Sequence, residues 1–284
     1  MTIQTILQRA TEFLQANGIE EARLDAEVLL AHILKMRRLY LYVHLELNLV
    51  DEDINNYKAL LHRRVARVPV AQLVGNKEFM GLDFNITPDV LIPRPETEIL
   101  VQMSIEILGP IKEAINLADI GTGSGAIAVS MLHYLDNATV DAVDISPAAL
   151  AVAKSNAEKF SVDNRINLFE GDLLEPLGGK AYDAILSNPP YIPTAVIAEL
   201  QPEVAKYEPK LALDGGEDGL KYYRQIIDEA VPLLKPDGFL ALEVGIDQAA
   251  SVRKMLEDNG QFDPINMIWD LYGIERIILA YKRC

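Results

Sequence analysis

Hydrophobic positions follow two different rhythms along this chain. In the first seventy residues they recur every three or four positions, the spacing that places them on one face of a helix. Thr2 is placed to cap a first helix carrying Ile3, Ile6, Leu7, Phe13 and Leu14, and Gly18 is placed to stop it. Further apolar-periodic stretches cover residues 24–34, a short 39–47 and 51–65. The last opens on acids and closes on bases, as the helix dipole favours. Four short helices predict a small bundle.

Beyond residue 75 the rhythm changes. Phe79-Met80-Gly81-Leu82-Asp83-Phe84 alternates around a glycine and predicts a hairpin. Pro93-Arg94-Pro95-Glu96-Thr97-Glu98 leads into a helix that runs to about Leu108. Then apolar strands at 115–120, 139–143, 166–169, 184–187, 239–244 and 276–281 alternate with helices near 125–135, 147–159, 219–233 and 247–259. Such alternation predicts an α/β architecture with a mostly parallel sheet covered on both faces. Ligands in these folds bind outside the carboxyl ends of the strands.

Charge separates the same two regions. Residues 1–75 carry nine basic and nine acidic side chains, so the whole net charge of −16 falls on the remainder. A surface that acidic repels phosphate backbones, and direct nucleic-acid binding is not expected. The basic clusters Lys35/Arg37/Arg38 and Arg63/Arg64/Arg67 read either as solvated faces or as a surface for an acidic partner. The one cysteine, Cys284, excludes a disulfide framework and a Cys-rich zinc site. The four histidines show no ligand spacing, so no metal is expected. Met1-Thr2-Ile3-Gln4-Thr5 lacks the basic start and apolar core of a signal peptide. The long uncharged stretch 120–135 is broken by three glycines, so no membrane span is expected. These features predict a cytoplasmic protein, expected to be a monomer.

Candidate chemistry sits in four loops after strands. The first reads Asp119-Ile120-Gly121-Thr122-Gly123-Ser124-Gly125, glycines that let the backbone approach a ligand ahead of a helix N-terminus. With Ala126 it also matches the dinucleotide fingerprint, so this loop alone does not choose a ligand. Asp144 ends the second strand, where a carboxylate can accept both hydroxyl protons of a ribose or cap the helix that follows Ser146-Pro147. Asp172 and Leu173 follow the third strand, as an acceptor for an adenine amine and an apolar cover for a base. Asp172 reads equally as a solvated turn residue.

The fourth loop, Asn188-Pro189-Pro190-Tyr191, is the informative one. Two prolines fix two φ angles and remove two N–H donors. What remains exposed accepts: the Asn188 side-chain oxygen and the Pro189 carbonyl, with the Tyr191 ring as a wall. That is a rigid receptor for a planar NH₂ group. Asn188 is no strong base, so rate must come from positioning and electrostatics.

Together these loops resemble class I S-adenosylmethionine-dependent methyltransferases acting on planar nitrogen. Adding residues 79–84, 91–98 and Ala212-Leu213-Asp214-Gly215-Gly216-Glu217-Asp218-Gly219-Leu220, the chain resembles the peptide chain release factor glutamine N5-methyltransferases over nearly its whole length. The resemblance implies a helical substrate-docking domain at 1–72, a β-hairpin linker at 73–92 and a Rossmann-like domain with a seven-stranded sheet at 93–284. It implies S-adenosyl-L-methionine as cofactor, S-adenosyl-L-homocysteine as product, and the glutamine of the release factors' Gly-Gly-Gln loop as substrate. Gly121, Thr122, Gly123, Ser124 and Gly125 would wrap the methionine part, Asp144 would hold the ribose, and Asp172 and Leu173 would flank the adenine. Some relatives carry an aromatic residue in place of Leu173; apolar cover remains. Asn188, Pro189, Pro190 and Tyr191 would hold the glutamine amide and carry catalysis, with Asn188 also beside the cofactor. Arg94 would join the active-site lip, although Pro93–Glu98 reads equally as an ordinary helix start. Residues 214–219 read either as a turn or as a loop framing the peptide groove. Adenine or cytosine methylation in a nucleic acid offers the same planar amine and is the alternative; the charge opposes it.

Overall fold

The computed structural model describes residues 1–283; Cys284, the chain's only cysteine, lies outside them. In chain order it forms helices α1 (Ile3–Ala16), α2 (Ala22–Ile33), α3 (Arg38–Val43), α4 (Asp51–Val65) and α5 (Val70–Val74), then strands β1 (Asn76–Phe79) and β2 (Leu82–Asn85). There follow α6 (Pro95–Leu108), β3 (Ile115–Ile120), α7 (Ala126–Tyr134), β4 (Ala138–Asp144), α8 (Pro147–Lys159), β5 (Ile166–Glu170) and β6 (Tyr182–Ser187). The chain ends through α9 (Pro202–Tyr207), α10 (Lys221–Ala230), β7 (Leu234–Glu243), α11 (Ala249–Asn259), β8 (Phe262–Trp269) and β9 (Glu275–Lys282).

These elements divide into two compact units, one of residues 1–76 with 201–207, the other of 77–200 with 208–284. In the helical unit the apolar faces of α1, α2 and α4 bury Ile3, Leu7, Leu14, Leu29, Leu30 and Tyr57 in one core. Thr2 caps α1, its hydroxyl accepting from the Thr5 N–H at 3.3 Å. The second basic cluster is not a solvated face throughout. Arg64 is 8% exposed and donates to Asp25 at 2.7 Å and to Glu203 at 2.8 Å, and Arg67 adds a bond to Glu203 at 3.3 Å. Burial of a guanidinium requires such partners. Glu203 lies on α9, so a segment that falls between β6 and β7 in the chain completes the helical unit.

The second unit holds a seven-stranded sheet in the order β5-β4-β3-β6-β7-β9-β8. The first five strands run parallel, and β9 joins β7 antiparallel, with β8 outside it. Burial on both faces explains why β3, β6 and β7 are mostly apolar rather than alternating, as in Ala184-Ile185-Leu186 and Phe239-Leu240-Ala241-Leu242. Strand order reverses between β3 and β6, the switch point where a crevice opens at carboxyl ends. The β1–β2 hairpin turns through Met80 and Gly81, both at positive φ, the geometry of a two-residue hairpin loop. Among the described residues, no helix is long and apolar enough to cross a membrane.

Candidate active site

The carboxyl ends of β3, β4, β5 and β6 converge on one cleft. It is lined by Gly121 and Gly123 after β3, Asp144 at the end of β4, Asp172 and Leu173 after β5, and Asn188 and Pro190 after β6. Leu91 approaches it from the segment before α6, and Tyr222 comes from α10. Thus residues from every strand-end loop singled out in the sequence meet, although Asn188 lies 67 positions beyond Gly121.

The glycine loop is built for close approach. A Cβ at Gly121 would meet nothing within 4 Å, and one at Gly123 only the Gly121 carbonyl at 3.9 Å, but both residues have positive φ. Gly125 differs: a Cβ there would press on Ala153 at 3.2 Å, so it lets α7 and α8 pack. Behind the loop, Asp119 is 1% exposed. One of its oxygens accepts from the Thr122 hydroxyl at 2.6 Å and the Ala128 N–H at 3.1 Å. Among the described residues, its other oxygen has no partner. Desolvation, with a contribution from the Asp144 charge, pushes Asp119 up to about 7. An orphaned buried carboxylate oxygen beside a glycine loop suits a ligand that brings a positive charge.

Asp144 proves to be a clamp as well as a cleft residue. Its Oδ2 accepts from the Gly123 N–H at 2.8 Å and its Oδ1 from the Ser146 N–H at 2.9 Å. Desolvation raises its pKa against those bonds. With the Ile145 N–H as a third backbone donor, the clamp still leaves the carboxylate with acceptor capacity for a ligand hydroxyl. Leu173 adopts φ +47°, a strained region for a leucine, and its side chain lines the cleft. Asp172 is exposed at the rim. Thr122 and Ser124 are buried behind the loop rather than in the cleft lining.

The Asn-Pro-Pro-Tyr loop is held from below. Ile192 N–H donates to the Leu213 carbonyl and Gly215 N–H to the Ile192 carbonyl, at 3.0 and 2.8 Å. Gln248 Nε2 donates to the Tyr191 carbonyl at 2.9 Å. A Cβ at Gly215 would come within 2.8 Å of the Tyr191 backbone, and one at Gly219 within 2.4 Å of the Tyr191 carbonyl. The 214–219 segment is therefore more than a turn: it packs on the loop that presents Asn188. Pro189 is buried and Tyr191 half-buried, outside the cleft lining. Desolvation pushes the Tyr191 hydroxyl up to about 12. Arg94 also stands outside that lining. It pairs with buried Glu208, whose other oxygen accepts from the Ile92 N–H at 3.1 Å.

Sequence reasoning did not single out Thr97, Glu243 or Glu208. Thr97 donates to Glu243 at 2.6 Å and receives Asn188 Nδ2 at 3.0 Å. Glu243 carried a legible signal, an acid directly after the apolar run Phe239-Leu240-Ala241-Leu242 and two positions before Gly245.

This sheet order, with a glycine loop, an acid and a proline-locked asparagine at successive carboxyl ends, defines a class I α/β methyltransferase. Residues 5–75 match the model of the PrmC N-terminal domain, and residues 97–201 that of the methyltransferase small domain. The release factor glutamine methyltransferase of Moorella thermoacetica is 46% identical, the match covering 100% of this chain and 99% of that protein. Its namesake from Geobacter sulfurreducens is 44% identical over 98% of this chain and 95% of its own length. A methyltransferase structure from Pyrococcus furiosus, 18% identical, superposes with a TM-score of 0.51 over 81% of this chain and 100% of that one, a likeness of fold. The chain belongs to the release factor glutamine methyltransferase family.

Proposed function

We propose that this chain transfers a methyl group from S-adenosylmethionine to the side-chain amide nitrogen, N5, of the glutamine in the Gly-Gly-Gln motif of peptide chain release factors. The observation that carries the reading is Asn188, an amide on a proline-locked loop that lines the same cleft as the glycine loop and Asp144. The names of the relatives support the substrate.

The residues present suit the cofactor: a Cβ-free approach at Gly121 and Gly123, a carboxylate at Asp144, apolar cover at Leu173, and the unpartnered oxygen of Asp119. When bound, S-adenosylmethionine supplies an electrophilic methyl on a sulfonium, whose sulfur keeps the bonding pair as the product S-adenosylhomocysteine leaves. An amide nitrogen is a poor nucleophile because its lone pair is delocalised into the carbonyl. The Asn188 side-chain oxygen accepts one substrate N–H and the Pro189 carbonyl the other, which fixes the nitrogen's orientation. So held, the nitrogen would be aligned to take the methyl group, and the proton it gives up would pass to solvent. Holding the reactants in line, rather than strong base catalysis, supplies the rate. The helical unit is assigned to docking the protein substrate, because every chemical motif lies after residue 90.

Incubating a release factor with the enzyme and S-adenosylmethionine, then mapping peptides by mass spectrometry, tests the reading. One methyl is expected on the Gly-Gly-Gln peptide and none after replacement of its glutamine. A protein that binds the cofactor yet leaves that peptide unmodified would overturn it.

A further inference from the structure

Asn188 is the last member of a buried relay. Its Nδ2 donates to Thr97 Oγ1 at 3.0 Å, and Thr97 Oγ1 donates to Glu243 Oε2 at 2.6 Å. Thr97 comes from the first turn of α6 and Glu243 closes β7, so elements 146 residues apart meet behind the Asn-Pro-Pro-Tyr loop. Thr97 is 5% exposed and Glu243 2%.

Proton counting fixes the direction of this relay. An ionised carboxylate only accepts. Thr97 has one hydroxyl proton, and Glu243 takes it. The Thr97 oxygen is left with lone pairs, so only the NH₂ end of Asn188 can face it. The other end of the planar amide, Oδ1, is turned to the side that Thr97 does not hold.

We propose that Glu243, acting through Thr97, is the positioning residue that decides which end of the Asn188 amide meets the substrate. This rests on the reading that Asn188 receives a glutamine amide. With Glu243 protonated, the relay can run backwards: the carboxyl donates to Thr97, Thr97 donates to Asn188 Oδ1, and the amide turns over. The substrate NH₂ then faces another NH₂, two donors that form no bond.

The surroundings of Glu243 place this reversal in an accessible range. Desolvation and the Glu96 charge push its carboxyl up to about 7, against Thr97, Asn188 and the Arg276 guanidinium of β9. Tyr191 faces it from the loop after β6, and the Tyr223 hydroxyl of α10 donates to its backbone carbonyl at 3.0 Å. The charged form, which enforces the productive amide, therefore fills as pH rises through about 7.

The test is single-turnover methylation of a full-length release factor at saturating cofactor, across a pH range spanning 7, with cofactor affinity measured separately. Wild type should quicken as pH rises through that point. Glu243→Gln, which does not titrate, should lose this rise. Thr97→Val, which cuts the relay at constant volume, should lower kcat on the order of tenfold to a hundredfold, the scale of one oriented hydrogen bond, and flatten the profile. Thr97→Ser should restore both rate and rise, and cofactor affinity should stay near wild type throughout. Should Glu243→Gln fail to fold, the valine and serine variants still decide. A wild-type profile kept by Thr97→Val would overturn the relay while leaving the proposed function intact. Wild-type enzyme inactive on the factor at every pH would overturn the function, and the relay with it.

Discussion

Asp144 and Asn188 each pair an observed structural contact with a proposed chemical role. Because Asp144 clamps Gly123 and Ser146, Asp144→Ala removes the tie that shapes the glycine loop together with the proposed acceptor for the cofactor. Each charge-assisted hydrogen bond typically contributes about 1.5–3 kcal/mol, so cofactor affinity should fall by tenfold or more, on the order of one such bond. Isothermal calorimetry with S-adenosylmethionine checks this, and an unchanged dissociation constant in a folded variant would reduce Asp144 to a cap. Asn188→Ala should behave in the opposite way, lowering kcat by roughly 10²–10³ with little effect on cofactor affinity. Both positions were visible in the sequence because glycines, prolines and strand ends mark them locally. Thr97, Glu243 and Glu208 were less visible because their roles come from burial and from partners over ninety residues away. Arg94 shows a further partner that the sequence did not mark: it stands outside the cleft lining and pairs with Glu208, 114 positions away.

At the scale of elements, legibility followed length and regularity. The spans of α4, α8 and β3 were read to the residue, because full turns define the helices and a mostly apolar stretch ending at a glycine loop defines the strand. Helix α5 was not read: five residues after Pro69 are too few to display a period. Strand β8 was missed because it lies at the sheet edge, carries Pro264, and exposes residues on both sides of its pleat. Helix α3 came out shorter than expected, and it leaves Leu39 and Val43 each 74% exposed and Tyr40 52% exposed. An apolar face of that kind on a small helix suits protein docking. Leu39→Glu combined with Val43→Glu should therefore leave thermal stability and cofactor affinity unchanged. It should raise KM for the intact release factor while sparing turnover of a short Gly-Gly-Gln peptide. Steady-state kinetics on the two substrates decides; equal losses on both would remove this face from docking.

At the scale of the whole molecule, two buried carboxylates, with no cation paired to them directly among the described residues, make stability depend on pH. Asp119 and Glu243 are each pushed up to about 7 by desolvation. A carboxyl whose folded pKa exceeds its unfolded one contributes stability that is fully present below the unfolded value. That stability is lost as pH rises through the folded value. For Asp119, a rise from 3.8 to about 7 corresponds to roughly 4 kcal/mol lost across that window. Melting temperature should accordingly fall from mildly acidic to mildly alkaline solution. Asp119→Asn should flatten the fall and melt above wild type at about pH 8, while binding cofactor more weakly. Calorimetric scans of both proteins against pH check it, and parallel curves would show that Asp119 is ionised throughout.

Helix α9 has a consequence for how this chain can be recombined. Its Glu203 neutralises Arg64 and Arg67, and its neighbour Tyr207 lends its carbonyl to Gln72 and its hydroxyl to the Ala66 carbonyl. The recipient of those bonds is encoded more than a hundred positions upstream, so the helical unit is not a cassette. A chimera that takes residues 1–76 from a relative should inherit residues 201–207 from the same parent. One that mixes parents should melt earlier by several degrees, since breaking a buried ion pair costs about 3–5 kcal/mol. Matched and mixed chimeras compared in thermal melts would expose the difference. Equal melting would mean that the two stretches drift independently, and that grafting at residue 76 is clean.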